Sequence, residues 1–373
     1  MREPRNAVRA RSLLDEENLD AIVVEERGFS AWLTSGPYSA FGSGVEVVVT
    51  RDGVYIVTHL LEYWRLSRIP GVELKVYTRS REAVESEAYA GEKLVDALRL
   101  VLDGARRVGC VGGVCGRLRE MGFEAIDVSE KLWRLRMVKE DWELERMSEA
   151  ARIALRALAS TPLLLREGVS ELEVAAEHER LLRLYGSEGH AFAPHGSLTI
   201  VAFGANTAYP HWEPSGDARL EPGTPVLIDT GAVYRGYVSD LTRVYWFPGR
   251  GRYSFEKWKN LVEAVAEAVW EAFDSVEPGV EAWVVDQAAR KALGGYAKWF
   301  IHSTGHGLGV EVHEPPRIAP GSKTRLEPGM VFTIEPGVYL RGEMGVRIEY
   351  MVVVGERGAR LLGSAGESLG GLL

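Results

Sequence analysis

RLEPGTPVLIDTGAVYRG (Arg219–Gly236) and RLEPGMVFTIEPGVYLRG (Arg325–Gly342) are the two stretches that decide how this chain is read. They begin with the same five residues at an offset of 106 (325 minus 219), and the match continues past them. At that offset Asp229 aligns with Glu335, Gly231 with Gly337, and Arg235-Gly236 with Arg341-Gly342. In both copies an acid ends a strand-like apolar run and a glycine follows two residues later.

The repeat extends upstream. A helix running to about Leu165 turns through Gly168 in REGVSELEVAAEHERLLRLYG into a second helix. Later, FEKWKNLVEAVAEAVWEAF turns through Gly279 in VEPGVEAWVVDQAARKAL into another. Each helix pair precedes one RLEPG hairpin. The C-terminal two thirds therefore reads as two copies of helix, helix, β-hairpin about a pseudo-twofold axis, with a cleft between the copies for a ligand. The first third reads as a small α/β domain. Strand-like runs at 20–26, 45–50, 53–58 and 106–112 alternate with helical stretches such as 91–105. The boundaries expected are an α/β domain over 1–128, a linker over 129–137 and the duplicated domain over 138–373. LRMVKEDWELERM is expected to open the long amphipathic helix of that second domain, with Trp142, Met147, Ala150, Ile153, Ala154 and Ala157 on its apolar face.

Composition narrows the function classes. The 373 residues are 46% hydrophobic and 26% charged, with a mean hydropathy of −0.09. The net charge of −9 argues against nucleic acid or an anionic membrane as partner. The first twenty residues lack an apolar core for a signal peptide, and no run approaches a membrane helix, so the chain reads as cytoplasmic. Cys110 and Cys115, the only cysteines, read as ordinary strand or turn residues, a disulfide or redox pair being the alternative.

The hairpins carry the chemistry. Asp229 and Asp240 lie on the two arms of IDTGAVYRGYVSDLTR, and Glu335 and Glu349 on those of FTIEPGVYLRGEMGVRIEY. Four carboxylates converging in an apolar sheet repel one another by several kcal/mol at low dielectric, so something cationic must offset them. Lysine is absent from these motifs, and a metal or a pair of metals is the economical answer. Between the hairpins, HSTGHGLGVEVHEPPR holds His302, His306 and His313. His306 stands between two glycines, which admit close backbone approach and leave the ring accessible. A mostly oxygen set with one imidazole suits Mn²⁺, Co²⁺, Fe²⁺ or Zn²⁺. A single acid at a strand end is usually solvated or caps a turn; four placed symmetrically on a duplicated hairpin are not so explained. His211 and His313 are candidate site residues, His190 and His195 read as loop residues, and His59 and His178 have no chemical context.

In combination, the DxG…SDxTR, GHGxGxxVHExP, TIEPG and GxRIE elements resemble the pita-bread metallopeptidases, the family of methionine aminopeptidase, aminopeptidase P and prolidase. The resemblance covers essentially the whole chain and is strongest to the prolidase and Xaa-Pro aminopeptidase branch. It implies two divalent cations per subunit, Mn or Co before Zn or Fe, held by Asp229, Asp240, His306, Glu335 and Glu349. Asp240 and Glu349 would bridge, and a bridging hydroxide would be the nucleophile. It implies His211 and His313 as catalytic and substrate-binding histidines, Glu335 as proton shuttle, and Arg317 and Arg347 as substrate-binding residues. The activity implied is hydrolysis of Xaa-Pro dipeptides, Arg317 favouring a dipeptidase over an Xaa-Pro aminopeptidase that accepts longer peptides. A non-catalytic peptide-binding protein and a metal-independent amidine hydrolase are the other uses of the fold; the complete ligand set argues against both. A homodimer acting on small peptides is also implied. Two departures stand out: PHG reads Pro210-His211-Trp212, a bulky residue expected to reshape the pocket, and Tyr350 follows the last ligand where an aspartate is common.

Overall fold

The computed structural model describes residues 3–193 and 198–363. The chain divides into two compact units, Met1–Arg136 and Met137–Leu373.

The first unit is built on a six-stranded sheet. Its order is Glu73–Tyr77, Val54–His59, Glu46–Thr50, Ala21–Val24, Arg107–Val111, Glu124–Asp127. Glu46–Thr50 runs antiparallel to both neighbours, and the other pairings are parallel. Ala21–Val24 is buried at every position, which is why its apolar run shows no alternation: helices cover both faces of a central strand.

Cys110 and Cys115 form a disulfide, which corrects their reading as ordinary residues. Gly112, at φ 69°, turns the chain sharply from strand Arg107–Val111 into helix Val114–Glu120. That turn leaves the two Cα atoms 5.3 Å apart, within bridging range. A spacing of five residues does not reveal such a turn by itself.

The stretch expected to be a linker is the helix Ser129–Met137. It does not continue into the next helix, Asp141–Ser160. The chain breaks at Val138, which bridges Met330, and the Lys139 amide donates to the Gly329 carbonyl at 3.0 Å. Sheet pairing thus overrides helical periodicity across 138–140. A new start follows at Glu140, whose capping box with Glu143 satisfies the first free amides. Met147, Ala150, Ile153, Ala154 and Ala157 are buried as their spacing predicts, and the helix ends at Ser160, ahead of Pro162, rather than near Leu165.

Three of the five residues shared at the start of each hairpin, the arginine, the leucine and the glycine, make the same bonds in both halves. Helices Asp141–Ser160 and Glu171–Leu184 precede the paired strands Thr224–Thr230 and Leu241–Phe247. Helices Phe255–Asp274 and Ala282–Leu293 precede Val331–Ile334 and Tyr350–Gly355. Arg219 donates to the Gly168 carbonyl (3.3 Å) and Arg325 to the Gly279 carbonyl (2.9 Å). The Gly168 amide donates to Leu220 and the Gly279 amide to Leu326, while both leucines are fully buried. Gly223 and Gly329, at φ 69° and 88°, close their hairpins onto Phe247 and Val354 at 3.0 and 2.9 Å. The motif thus locks the turn between two helices to the mouth of the hairpin that follows. The tip of the first hairpin is the two-residue turn Arg235-Gly236, with φ of 47° and 80°, the mirror-image turn that matches strand twist. Among the described residues no helix is long and apolar enough to cross a membrane.

Candidate metal centre

Each hairpin places one acid at the end of its first arm and another at the start of its second. Asp229 lies in Thr224–Thr230 opposite Thr242, and Asp240 immediately precedes Leu241–Phe247. Glu335 immediately follows Val331–Ile334, and Glu349 immediately precedes Tyr350–Gly355. Gly231 allows the kink between the arms, since a Cβ there would run into the Ser239 carbonyl. The strand Gly305–Gly307 carries His306 between two neighbours. A Cβ at Gly305 would strike the Thr333 carbonyl and one at Gly307 the Pro315 carbonyl, so only glycines let this histidine in.

The side chains converge. His306 Nε2 is 3.2 Å from Glu335 Oε1 and 3.7 Å from Asp240 Oδ2. Asp240, His306 and Glu349 each offer a ligand atom within 4.8 Å of the others. Asp229, Asp240 and Glu349 are 8%, 5% and 2% exposed. Asp229 Oδ1 is buried with no hydrogen-bond partner, the condition of an oxygen reserved for a ligand. Burial drives the carboxyls of Asp240 and Glu349 well above the ordinary carboxylate range, and the neighbouring acids drive them further. Burial also raises Asp229; Arg347 opposes this and Glu335 reinforces it. Burial would raise Glu335 too, but its hydrogen bond to His306 and the imidazolium charge prevail and hold it at about 2. Burial works against a charged His306, yet the same bond raises its pKa. The donor set is oxygen-rich, desolvated and short of compensating charge, and it fits divalent cations.

A consequence is linkage between cations and protons. In the cation-free protein, Asp240 and Glu349 stay protonated above the usual carboxylate range. Between ordinary and raised values the folded state binds more protons than the unfolded, so the cation-free protein loses stability as pH rises through that window. Cation binding must displace those protons. Calorimetric Mn²⁺ titrations in buffers of different protonation enthalpy are expected to show net proton release, and affinity is expected to weaken as pH falls. Binding without proton release contradicts the assignment of these acids.

Supporting groups hold the acids in place. Thr242 Oγ1 donates to Glu349 Oε2 (2.7 Å) and accepts from Arg347 Nε (3.0 Å). Thr333 Oγ1 accepts from the His306 amide and donates to Glu335 Oε1, both at 3.2 Å. Arg347, 3% exposed, commits all three nitrogens to the protein: to Thr242, to Asp229 Oδ2 at 2.6 Å, and to the Tyr339 hydroxyl and Pro210 carbonyl. It therefore buttresses Asp229. Tyr339 continues the chain to His302 Nε2 at 2.8 Å, and His302 Nδ1 meets the Ser303 carbonyl at 2.8 Å. Burial keeps His302 neutral, with Nδ1 the donor and Nε2 the acceptor.

Of the other candidates, His313 is exposed with its ring 4.4 Å from that of His306. Arg317 is exposed on strand Glu314–Ile318, opposite His306 in the ladder. His211 is exposed and follows Pro210, whose carbonyl Arg347 grips at 3.3 Å. Beyond Tyr339 lies a cavity of about 500 Å³ lined by Pro210, Trp299, Ile301, Leu340 and Arg341. His190, read as a loop residue, is buried and bonded to Thr199 and the Phe192 amide. His195 lies outside the described residues. His178 is buried in helix Glu171–Leu184, where burial lowers it to about 4. The supporting residues had a detectable signal. Thr242 lies two residues after Asp240, Thr333 two before Glu335 and Arg347 two before Glu349, the spacing that shares a strand face.

Residues 145–356 match the description Metallopeptidase family M24. An Xaa-Pro dipeptidase of Pyrococcus furiosus is 34% identical over 354 residues, 94% of each chain. Among solved structures, an X-Pro aminopeptidase from Thermotoga maritima superposes with a TM-score of 0.83 at 29% identity, covering 97% of this chain and 98% of the other. A prolidase from Pyrococcus horikoshii gives 0.80 at 29% identity, covering 98% and 99%. With this ancestry added to the duplicated hairpins and their converging acids, the chain belongs to metallopeptidase family M24 and carries its pita-bread fold.

Proposed function

We propose that the chain is a metal-dependent Xaa-Pro dipeptidase. The observation that carries this is the closing of Asp240, His306 and Glu349 to within 4.8 Å beside the unpartnered Asp229 oxygen. Asp229 and Asp240 would hold one cation and His306 and Glu335 a second, with Asp240 and Glu349 shared; Mn²⁺ or Co²⁺ suits the set before Zn²⁺ or Fe²⁺. Bound there, divalent cations polarise a scissile carbonyl and acidify a water to near-neutral pKa. The protein's own groups do the rest. His313 and His211 donate to the oxygen that gains charge during attack. Glu335, beside His306, carries the proton to the departing nitrogen. Arg317, exposed opposite His306, takes the terminal carboxylate of a dipeptide. Arg347 acts through Asp229 and Tyr339. Similarity to Xaa-Pro dipeptidases over 94% of the chain supports the same substrate class.

The competing reading is an Xaa-Pro aminopeptidase, favoured by the cavity beyond Tyr339, which has room for a longer peptide. Comparing Met-Pro with Met-Pro-Ala separates the two. The dipeptidase reading expects the tripeptide to be cleaved at under about a tenth of the dipeptide rate, since Arg317 finds no carboxylate where it needs one. Equal rates would establish the aminopeptidase.

A further inference from the structure

Trp212 departs from the family pattern, and its indole is not idle. Its Nε1 donates at 2.7 Å to Oε2 of Glu171, the first residue of helix Glu171–Leu184, which is fully buried. The same carboxylate accepts the Ser215 amide on Oε2 at 3.1 Å. On Oε1 it accepts the Phe203 amide at 2.7 Å and Asn206 Nδ2 at 2.8 Å. Four donors spread over residues 203–215 thus wrap around a single acid. A carboxylate offers about four acceptor sites, so this one is saturated by one segment of chain.

That segment carries Pro210 and His211. Arg347 holds the Pro210 carbonyl from the metal-centre side, and Glu171 holds the residues on either side of it from behind. The donor nearest to His211 in sequence is Trp212 itself. The second half of the domain does something comparable with a different acid. Asp286, in helix Ala282–Leu293, accepts both the amide and the hydroxyl of Thr304 and pairs with Arg290. Arg290 in turn donates to the His302 carbonyl at 2.6 Å. Each half therefore uses a buried acid on its second helix to order the loop that leads to a site histidine.

We propose that Glu171 and Trp212 are positioning residues that fix the segment carrying His211 beside Arg347, Trp212 contributing a bond that a glycine at this place cannot. The proposal rests on the reading that His211 acts on substrate. Its mark is energetic coupling: groups that act through one histidine lose their effect once it is gone.

The test is Met-Pro hydrolysis by the replenished protein carrying Trp212→Phe, Glu171→Gln, His211→Ala and the double substitutions with His211→Ala. Trp212→Phe keeps the aromatic volume, so it remains informative should Glu171→Gln fail to fold. Expected are losses in kcat/KM of about threefold for Trp212→Phe and about tenfold for Glu171→Gln, with metal content unchanged. In the His211→Ala background each should cost less than about twofold. Equal losses in both backgrounds would overturn the proposal and leave a merely structural bond. Full turnover by His211→Ala would overturn it together with the histidine's assigned part, while the dipeptidase reading would still stand or fall on Asp240 and Glu349.

Discussion

Asp240→Ala and Glu349→Ala are each expected to lower Met-Pro turnover by at least about a thousandfold. Each removes a carboxylate from the cluster in which Asp240, His306 and Glu349 offer ligand atoms within 4.8 Å of one another. The stability effect runs the other way and makes the prediction specific. In the cation-free protein these two acids burden the fold, because burial and like charge hold them protonated against their ordinary preference. Cation-free Asp240→Asn should therefore melt no lower than cation-free wild type. Wild type should gain on adding Mn²⁺, by about 2.7 kcal/mol at a hundredfold excess over Kd, and the variant should not. A variant that loses both activity and cation-free stability would mark Asp240 as a structural residue.

Arg347→Ala is expected to produce the largest loss of stability. Arg347 is 3% exposed, and four acceptors lean on it: Asp229, Thr242, Tyr339 and the Pro210 carbonyl. Breaking a buried pair from one side strands the other, at a cost of about 3–5 kcal/mol. Asp229 can escape part of this by taking up a proton, since burial already raises its carboxyl, which places the expected loss near about 3 kcal/mol. Arg347→Lys should recover little, because an ammonium cannot reach this fan of acceptors with a rigid fork. Urea unfolding at neutral pH, read as a fall in midpoint at constant slope, measures the effect. A change below about 0.5 kcal/mol, the scale of an ordinary surface substitution, would contradict the buttressing role.

Much of this is legible in the sequence. The duplication could be read because RLEPG recurs at one offset, and the reason it recurs is now visible: the arginine, the leucine and the glycine make identical bonds in both halves. The acids stood out because four of them sit symmetrically on the arms of a duplicated hairpin, where each alone would pass for a solvated strand end. What escaped notice depended on neighbours distant in sequence. Glu171 and Trp212 are 41 residues apart. Arg347 could be seen as a site residue, but that its nitrogens face inward depends on Asp229, 118 residues away. The helix break at 138–140 depends on Met330, and the disulfide on one left-handed glycine. Periodicity reports a residue's own face, and none of these partners lies on it.

The duplicated hairpins gather buried acids, of which Asp240 and Glu349 become ionised together only when cations bind among them. The direct measurement is elemental mass spectrometry of protein replenished with Mn²⁺ and freed of loosely held ions by gel filtration. Roughly two ions per chain for wild type, falling in Asp240→Ala and Glu349→Ala, is the result expected of a shared site. Wild-type protein that retains no ions after this treatment would contradict the account.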